Sequence, residues 1–180
     1  MTSDRWKTSV HEAGHAVAAV VMGGRCAGLV LVDDGGLAQN YELLGAREAY
    51  AIAAGPAAER LVEQHPAPTT SPAKSKVLTV DEIEALSVFG TAPFLACQLG
   101  RAADNRRHFD SDERTLALWA ITGREDTPGS WATMLEHANR VAAEIIARNS
   151  TAVVRIAAAL FVAGSLSEDE ILSHFNEELS

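Results

Sequence analysis

Two histidines and a glutamate near the N-terminus have the types and the spacing of a zinc hydrolase centre. His11 and His15 are four residues apart and Glu12 follows the first, so the stretch HEAGH matches the pattern H-E-x-x-H. On a helix this spacing puts both imidazoles on one face, a turn apart, where they can ligate one zinc ion. Glu12 would then reach a zinc-bound water as its general base.

A catalytic zinc ion usually takes three protein ligands and a water, so the histidine pair needs a third ligand from elsewhere in the chain. Seven residues qualify by chemistry alone, and they are His65, His108, His137, His174, Asp104, Asp110 and Asp112. Alternatively, the two motif histidines are ordinary helix residues and Glu12 is a solvated charge. We expect the zinc centre, because the complete motif falls on a segment with helical periodicity.

The motif must be positioned by the segment that contains it and by the segment that follows. Apolar residues recur every three or four positions between Asp4 and Met22, and two glycines follow, which predicts a zinc helix over about 4–22. Two short apolar stretches flank the turn-forming sequence DDGG, which predicts a hairpin over about 28–41. We therefore expect a small β-hairpin or a short sheet after the zinc helix.

The remaining chain is predicted to be helical around one exposed loop. The run 47–63 favours a helix with a kink or break at Gly55-Pro56, and the proline-rich stretch 65–79 favours an exposed loop. Further helices are predicted at 80–88, 92–103, 110–121, 130–148, 152–163 and 168–178. Gly164 and the capping-box spacing of Ser167 and Glu170 separate the last two. The fold class is therefore mainly α, in one domain of residues 1–180.

Composition narrows the classes of partner and the compartment. The 180 residues are 47% hydrophobic and carry a net charge of −9, which argues against a nucleic-acid or anionic-membrane binder. No uninterrupted apolar run is long enough to span a bilayer. Cys26 and Cys97 lie far apart, so we expect buried thiols in a reducing compartment and a cytoplasmic location.

Several stretches of the chain resemble, in order, the peptidase domain of the FtsH-type ATP-dependent proteases. The sequence HEAGHAVAAVVM at 11–22 resembles that family's zinc helix, and GPAAE at 55–59 resembles its Gly-Arg-Ala-Ala-Glu segment. Ser111-Asp112 resembles its third-ligand motif, and the stretches 156–160 and 166–171 resemble its closing helices. The resemblance implies a helical zincin-like peptidase domain with one zinc ion.

The resemblance also implies roles for single residues. It makes Asp112 the third zinc ligand, although Asp110, which has the spacing of an N-cap with Glu113, and Asp104 stay open as alternatives. It also places Glu59 where its carboxylate could hydrogen-bond a ligating imidazole. An exposed carboxylate beside Arg60 is the alternative for Glu59.

The chain departs from the FtsH-type pattern in ways that bear on function. Pro56 stands where the family usually has arginine, and the 180 residues contain no G-x-x-x-x-G-K-[ST] motif. We expect neither the family's ATPase module nor its membrane anchor. We therefore expect a stand-alone zinc endopeptidase whose partners are peptides or unfolded protein segments. A catalytically weak metal-binding interaction module is the alternative, and a helical domain with a chance motif is a third. A homo-oligomer stays open.

The predicted second hairpin strand suggests how a substrate would bind. An extended peptide could add to this strand by backbone pairing, which is largely independent of sequence. The residues concerned are Leu37, Ala38, Gln39 and Asn40. An ordinary hairpin strand is the alternative interpretation.

Overall fold

The computed structural model describes residues 2–32, 35–43, 46–71 and 131–177. Helix α1, Thr2–Val21, carries the HEAGH motif and lies within two residues of the predicted bounds at its N-terminus and one at its C-terminus. Gly23, with a φ of 77°, takes the left-handed conformation that ends helices, and its N–H donates to the Val20 carbonyl. The rest of the predicted loop, 72–79, and the helices predicted between 80 and 121 lie outside the described residues.

The sheet after α1 has three antiparallel strands. Strand β1 is Arg25–Val32 and strand β2 is Gly35–Tyr41, which together form the predicted hairpin. A third strand, β3, Ser165–Ser167, pairs with the other side of β1, so the order is β2-β1-β3. The third strand itself was not predicted, because a three-residue strand whose partner is distant in sequence has no local signal.

Helix α2, Ala46–Ala58, follows the hairpin and continues into a 3-10 helix, Glu59–Glu63. Of the predicted kink or break at Gly55-Pro56, the break does not occur, because Pro56 lies only two residues before the helix ends. Proline removes a single N–H donor at this point, while the packing of α2 against α1 maintains the helix.

Three more helices complete the described chain. Helix α3 is Trp131–Arg148, α4 is Ser150–Ala163 and α5 is Glu168–Asn176. The left-handed Gly164, with a φ of 81°, ends α4. The capping box predicted for Ser167 and Glu170 begins α5. The chain is therefore mainly α with a short sheet, as predicted.

Helix α1 lies at the centre of the core and contacts α2, α4 and the sheet. Its side chains Val10, Ala13 and Val17 are wholly buried, which is the helical spacing that the sequence predicted. At its N-terminal end Trp6 packs edge-to-face against Phe161 of α4, with ring centroids 6.0 Å apart. The motif is thus carried by the most enclosed helix of the described chain.

No single helix in the described part of the chain is long and apolar enough to cross a membrane. One pair of segments is long and apolar enough to cross a membrane only when the two are taken together, and they are bent by 81° relative to one another. The pair is Leu135–Arg148 and Ser150–Ala163.

Candidate metal centre

His11 and His15 lie side by side on α1, facing α2. Their ring centroids are 4.8 Å apart and the ring planes are nearly perpendicular, at 81°. The side chain of His11 is 22% exposed, whereas His15 is buried. The pair therefore forms a partly enclosed site that is more accessible on the His11 side.

Each ring makes a hydrogen bond through Nδ1. His11 Nδ1 lies 3.0 Å from Glu59 Oε1, and His15 Nδ1 lies 2.7 Å from the Ala51 carbonyl oxygen. A carbonyl can only accept, so His15 donates from Nδ1, and a carboxylate imposes the same tautomer on His11. A neutral imidazole that donates from Nδ1 carries its lone pair on Nε2, which is the form that ligates a metal.

Both Nε2 atoms converge on Gly55 of α2. A Cβ atom placed on Gly55 would stand 2.5 Å from His15 Nε2 and 2.7 Å from His11 Nε2. The two nitrogens thus approach one small region, and zinc bonds to imidazole nitrogen at about 2.0–2.1 Å. The tautomers, the convergence and the missing side chain at residue 55 fit a zinc ion held by His11 and His15.

Glu12 is buried against the sheet. It is 6% exposed, and a Cβ placed on Gly36 of β2 would come within 2.5 Å of its Cγ and 2.8 Å of its Oε1. Strand β2 also contacts the motif through Asn40, whose Nδ2 donates to the His15 carbonyl at 3.3 Å. The helix thus presents its imidazoles to α2 and its carboxylate to β2.

Gly14 sets the distance between α1 and α2. It is one of the two variable residues between Glu12 and His15, and it is the one that α2 approaches most closely. A Cβ here would stand 2.6 Å from the Ala58 Cβ and 2.7 Å from the Ala54 carbonyl oxygen. Only glycine allows this approach, because one obstruction is backbone and cannot rotate away. The close approach brings Ala51 and Glu59 within hydrogen-bonding distance of the two rings.

Glu59 lies between a cation and a histidine. Its Oε2 is 2.8 Å from Lys7 Nζ, while its Oε1 faces His11 Nδ1. The carboxylate is 31% exposed, so it is neither a fully solvated charge nor a wholly enclosed one. The structure places Glu59 against a predicted ligand, on the ring nitrogen opposite the one that would bind the metal.

The described residues contain no group of three or more histidine, cysteine, aspartate or glutamate side chains that could hold a metal. Asp112, Asp110, Asp104 and His108 lie outside the described residues. His137 instead pairs with the Tyr50 hydroxyl, at 3.1 Å. Within the described residues, no further side chain of these types therefore joins His11 and His15 in such a group, and the choice of third ligand stays a prediction.

Strand β2 is at the edge of the described sheet, with Leu37, Ala38, Gln39 and Asn40 in it. The Leu31 N–H donates to the Gly164 carbonyl on the β3 side, so the backbone groups of Leu31 point away from β2. Its partner Gly36 therefore belongs to a non-hydrogen-bonded pair. By alternation, the backbone groups of Gly36 and Ala38 point outward, away from β1.

Three glycines were missed as site residues by sequence reasoning. In the sequence, Gly14 occupies only a variable position of the motif. Gly55 belongs to the predicted kink or break, and Gly36 belongs to the predicted turn. Glycine within a predicted helix, as at Gly14 and Gly55, is a signal that could have indicated close packing, but the groups that each glycine meets require the tertiary structure. The Lys7 contact and the Ala51 carbonyl have no sequence signal at all.

A family model described as Peptidase M50B-like matches residues 5–62. These residues include nearly all of α1, the hairpin and α2, and therefore every described residue of the centre. The match supports a metallopeptidase-type domain, and it does not specify the FtsH type. No curated protein matches the chain.

Proposed function

We propose that this protein is a zinc-dependent endopeptidase that hydrolyses peptides or unfolded protein segments. The observation that carries the proposal is the convergence of His11 and His15 Nε2 on Gly55, with Glu12 buried on the same helix. Two imidazoles and an adjacent carboxylate are groups that zinc hydrolases use as ligands and general base. The Peptidase M50B-like match supports the same class of enzyme.

Each residue of the centre has a role in this proposal. His11, His15 and Asp112 would hold the zinc ion, which when bound supplies a Lewis acid that polarises the substrate carbonyl and acidifies water. Glu12 accepts the proton of the attacking water and passes it to the leaving amine. Glu59 and the Ala51 carbonyl fix the ring tautomers through Nδ1.

The substrate would bind in extended form along β2, over Leu37, Ala38, Gln39 and Asn40. The outward backbone groups of Gly36 and Ala38 supply the donors and acceptors for such pairing. A peptide in this position would pass beside Glu12, because Gly36 is in contact distance of that carboxylate. Because recognition through backbone groups does not depend on one sequence, it suits unfolded protein segments of different sequences as substrates.

Cleavage of casein, an unfolded protein, tests the proposal. We expect the purified protein to degrade casein, chelator treatment to stop degradation, and stoichiometric zinc to restore it. Zinc binding without cleavage would instead identify a metal-binding interaction module. Absence of both zinc binding and cleavage would leave a helical domain with a chance motif, and either result contradicts the peptidase proposal.

The FtsH-type assignment of the third ligand has its own test. Asp112→Asn, Asp110→Asn and Asp104→Asn variants are compared for zinc affinity by competition with a chelating dye. We expect the largest loss for Asp112→Asn, because it alone would remove a ligand. An equal loss in all three variants, or a loss confined to another aspartate, would contradict the assignment.

A further inference from the structure

Two glycines, Gly36 of β2 and Gly55 of α2, contact side chains of the HEAGH motif. Each glycine contacts a different part of the motif. Gly36 of β2 faces Glu12, whose Cγ, Cδ and Oε1 all lie within 2.9 Å of the position that a Cβ would take. Gly55 of α2 faces His11 and His15, whose Nε2 atoms lie within 2.7 Å of the corresponding position. Neither space can be shared with a side chain.

The effect of an alanine at Gly55 or Gly36 depends on whether the atoms nearest its Cβ can move. At Gly55 the nearest atoms are the tips of two imidazoles, and at Gly36 they are the outer atoms of a glutamate side chain. Such side chains can rotate away, so the fold can accommodate alanine while the functional group moves. Gly14 differs, because there one obstruction is the backbone carbonyl of Ala54.

We propose that Gly36 and Gly55 are positioning residues with separate tasks. Gly55 leaves room for the His11 and His15 rings in the orientation that binds zinc, and Gly36 leaves room for the Glu12 side chain in its catalytic position. This inference rests on the proposed function. Zinc binding and the proton-transfer step can therefore be lost independently, by one methyl group each, on elements outside the motif.

The test compares Gly36→Ala and Gly55→Ala with Gly35→Ala as a matched control. Gly35 neighbours Gly36 in the same strand, and a Cβ on it would meet nothing within 4 Å. For each variant, zinc affinity is measured by chelator competition, kcat and KM by casein-peptide cleavage at saturating zinc, and folding by circular dichroism and thermal unfolding. Alanine is intrinsically favoured over glycine in a helix, so we expect Gly55→Ala to fold.

We expect Gly55→Ala to lower zinc affinity by 10- to 100-fold or more, the order of loss seen when ligand orientation is disturbed. We expect Gly36→Ala to keep wild-type zinc affinity and lose about 100-fold in kcat, the order of the cost of a 1 Å misplacement, with little change in KM. Gly35→Ala should match the wild type in all three measurements.

The inference is overturned if Gly55→Ala binds zinc as tightly as the wild type, or if Gly36→Ala cleaves as fast as Gly35→Ala. It is also overturned if Gly36→Ala loses zinc, or if either variant is unfolded, since both results would mean a structural role. These outcomes differ from failure of the proposed function, in which the wild type itself neither binds zinc nor cleaves, and which would remove both proposals.

Discussion

The two motif histidines differ in the hydrogen-bond partner of their Nδ1 atom. His15 is buried and bonds a backbone carbonyl of α2, so its orientation is fixed by the fold. His11 is partly exposed and depends on the side chain of Glu59, which Lys7 also contacts. His11 is therefore the histidine whose orientation a single side-chain substitution can disturb without altering the backbone.

Removing the Glu59 carboxylate should weaken zinc binding. We expect Glu59→Ala to lower zinc affinity by about 10- to 100-fold, the usual effect of losing a partner that orients a ligating histidine. Glu63→Ala is the matched control, because Glu63 is an exposed glutamate of the same 3-10 helix. Chelator competition on the two variants measures the difference, and equal affinities would mean that Glu59 does not orient His11.

Burial makes the thiol of Cys26 unreactive. Burial raises the pKa of its thiol to about 12, and the backbone hydrogen bond to Gly28 offsets only part of that effect. The thiol is therefore protonated at neutral pH and is a poor nucleophile or metal ligand. The sequence predicted a buried thiol here, and the structure confirms it.

At the scale of elements, the packing of α1 on α2 depends on Gly14. We expect Gly14→Ala to lower the free energy of unfolding by about 1–3 kcal/mol or more, the range for overpacking a close contact. Ala58→Gly in the same protein should restore part of the loss, because it removes the Cβ that lies 2.6 Å from the added methyl. Urea denaturation measures both, and unchanged stability in Gly14→Ala would contradict the close approach.

The edge strand can be tested by removing one outward N–H. Ala38→Pro deletes a donor that points away from β1. Loss of one hydrogen bond of about 0.5–1.5 kcal/mol predicts a KM that rises roughly 2- to 13-fold, with zinc content unchanged. Leu37→Pro is the contrasting variant, since it deletes a donor that faces β1 and should lower stability instead. Peptide kinetics and thermal unfolding distinguish the two, and an unchanged KM in Ala38→Pro would exclude β2 as the substrate strand.

The capping box of α5 should make stability depend on acid pH. The Ser167 N–H, which donates to the Glu170 carboxylate at 2.8 Å, and the Ser167 hydroxyl lower the pKa of Glu170 below its usual value. The unfolded state then binds more protons than the folded state, so this contribution is complete above the unfolded pKa and is lost as the pH falls through the folded pKa.

Glu170→Gln isolates this contribution. We expect the variant to be less stable than the wild type at neutral pH, and the difference in free energy of unfolding to shrink as the pH falls through the acid range. Asp169→Asn, at an exposed neighbour outside the box, is the matched control for removing a carboxylate from this helix. A difference between Glu170→Gln and the wild type that is independent of pH would contradict the lowered pKa.

The elements that sequence predicted well are those with local signals. The periodicity of α1, the DDGG turn, Gly164 and the Ser167 box each act within a few residues, and each gave an element close to its observed bounds. Strand β3 and the continuity of α2 through Pro56 were missed, because both depend on packing between segments distant in the chain. The same limit applies to the site: the motif predicted three side chains, whereas Gly36, Gly55 and Ala51 act only through tertiary contacts.

At the scale of the whole molecule, the centre is assembled by packing three elements on one helix. Helix α4 and the Trp6–Phe161 contact fix α1 in the core, α2 covers its imidazole face, and β2 covers its carboxylate face. Strand β2 is at the edge of the described sheet, and the side chain of His11 is 22% exposed. A cytoplasmic location and a homo-oligomer stay predictions from the sequence.

The role of Glu12 as general base is best measured by the cleavage rate of zinc-loaded Glu12→Gln. This change keeps the size and polarity of the side chain and removes the base, so we expect one zinc ion per chain, as in the wild type. General acid–base catalysis contributes about 10²–10⁴-fold, and we expect casein cleavage to fall by a factor in that range. Cleavage by zinc-loaded Glu12→Gln at the wild-type rate would contradict the account.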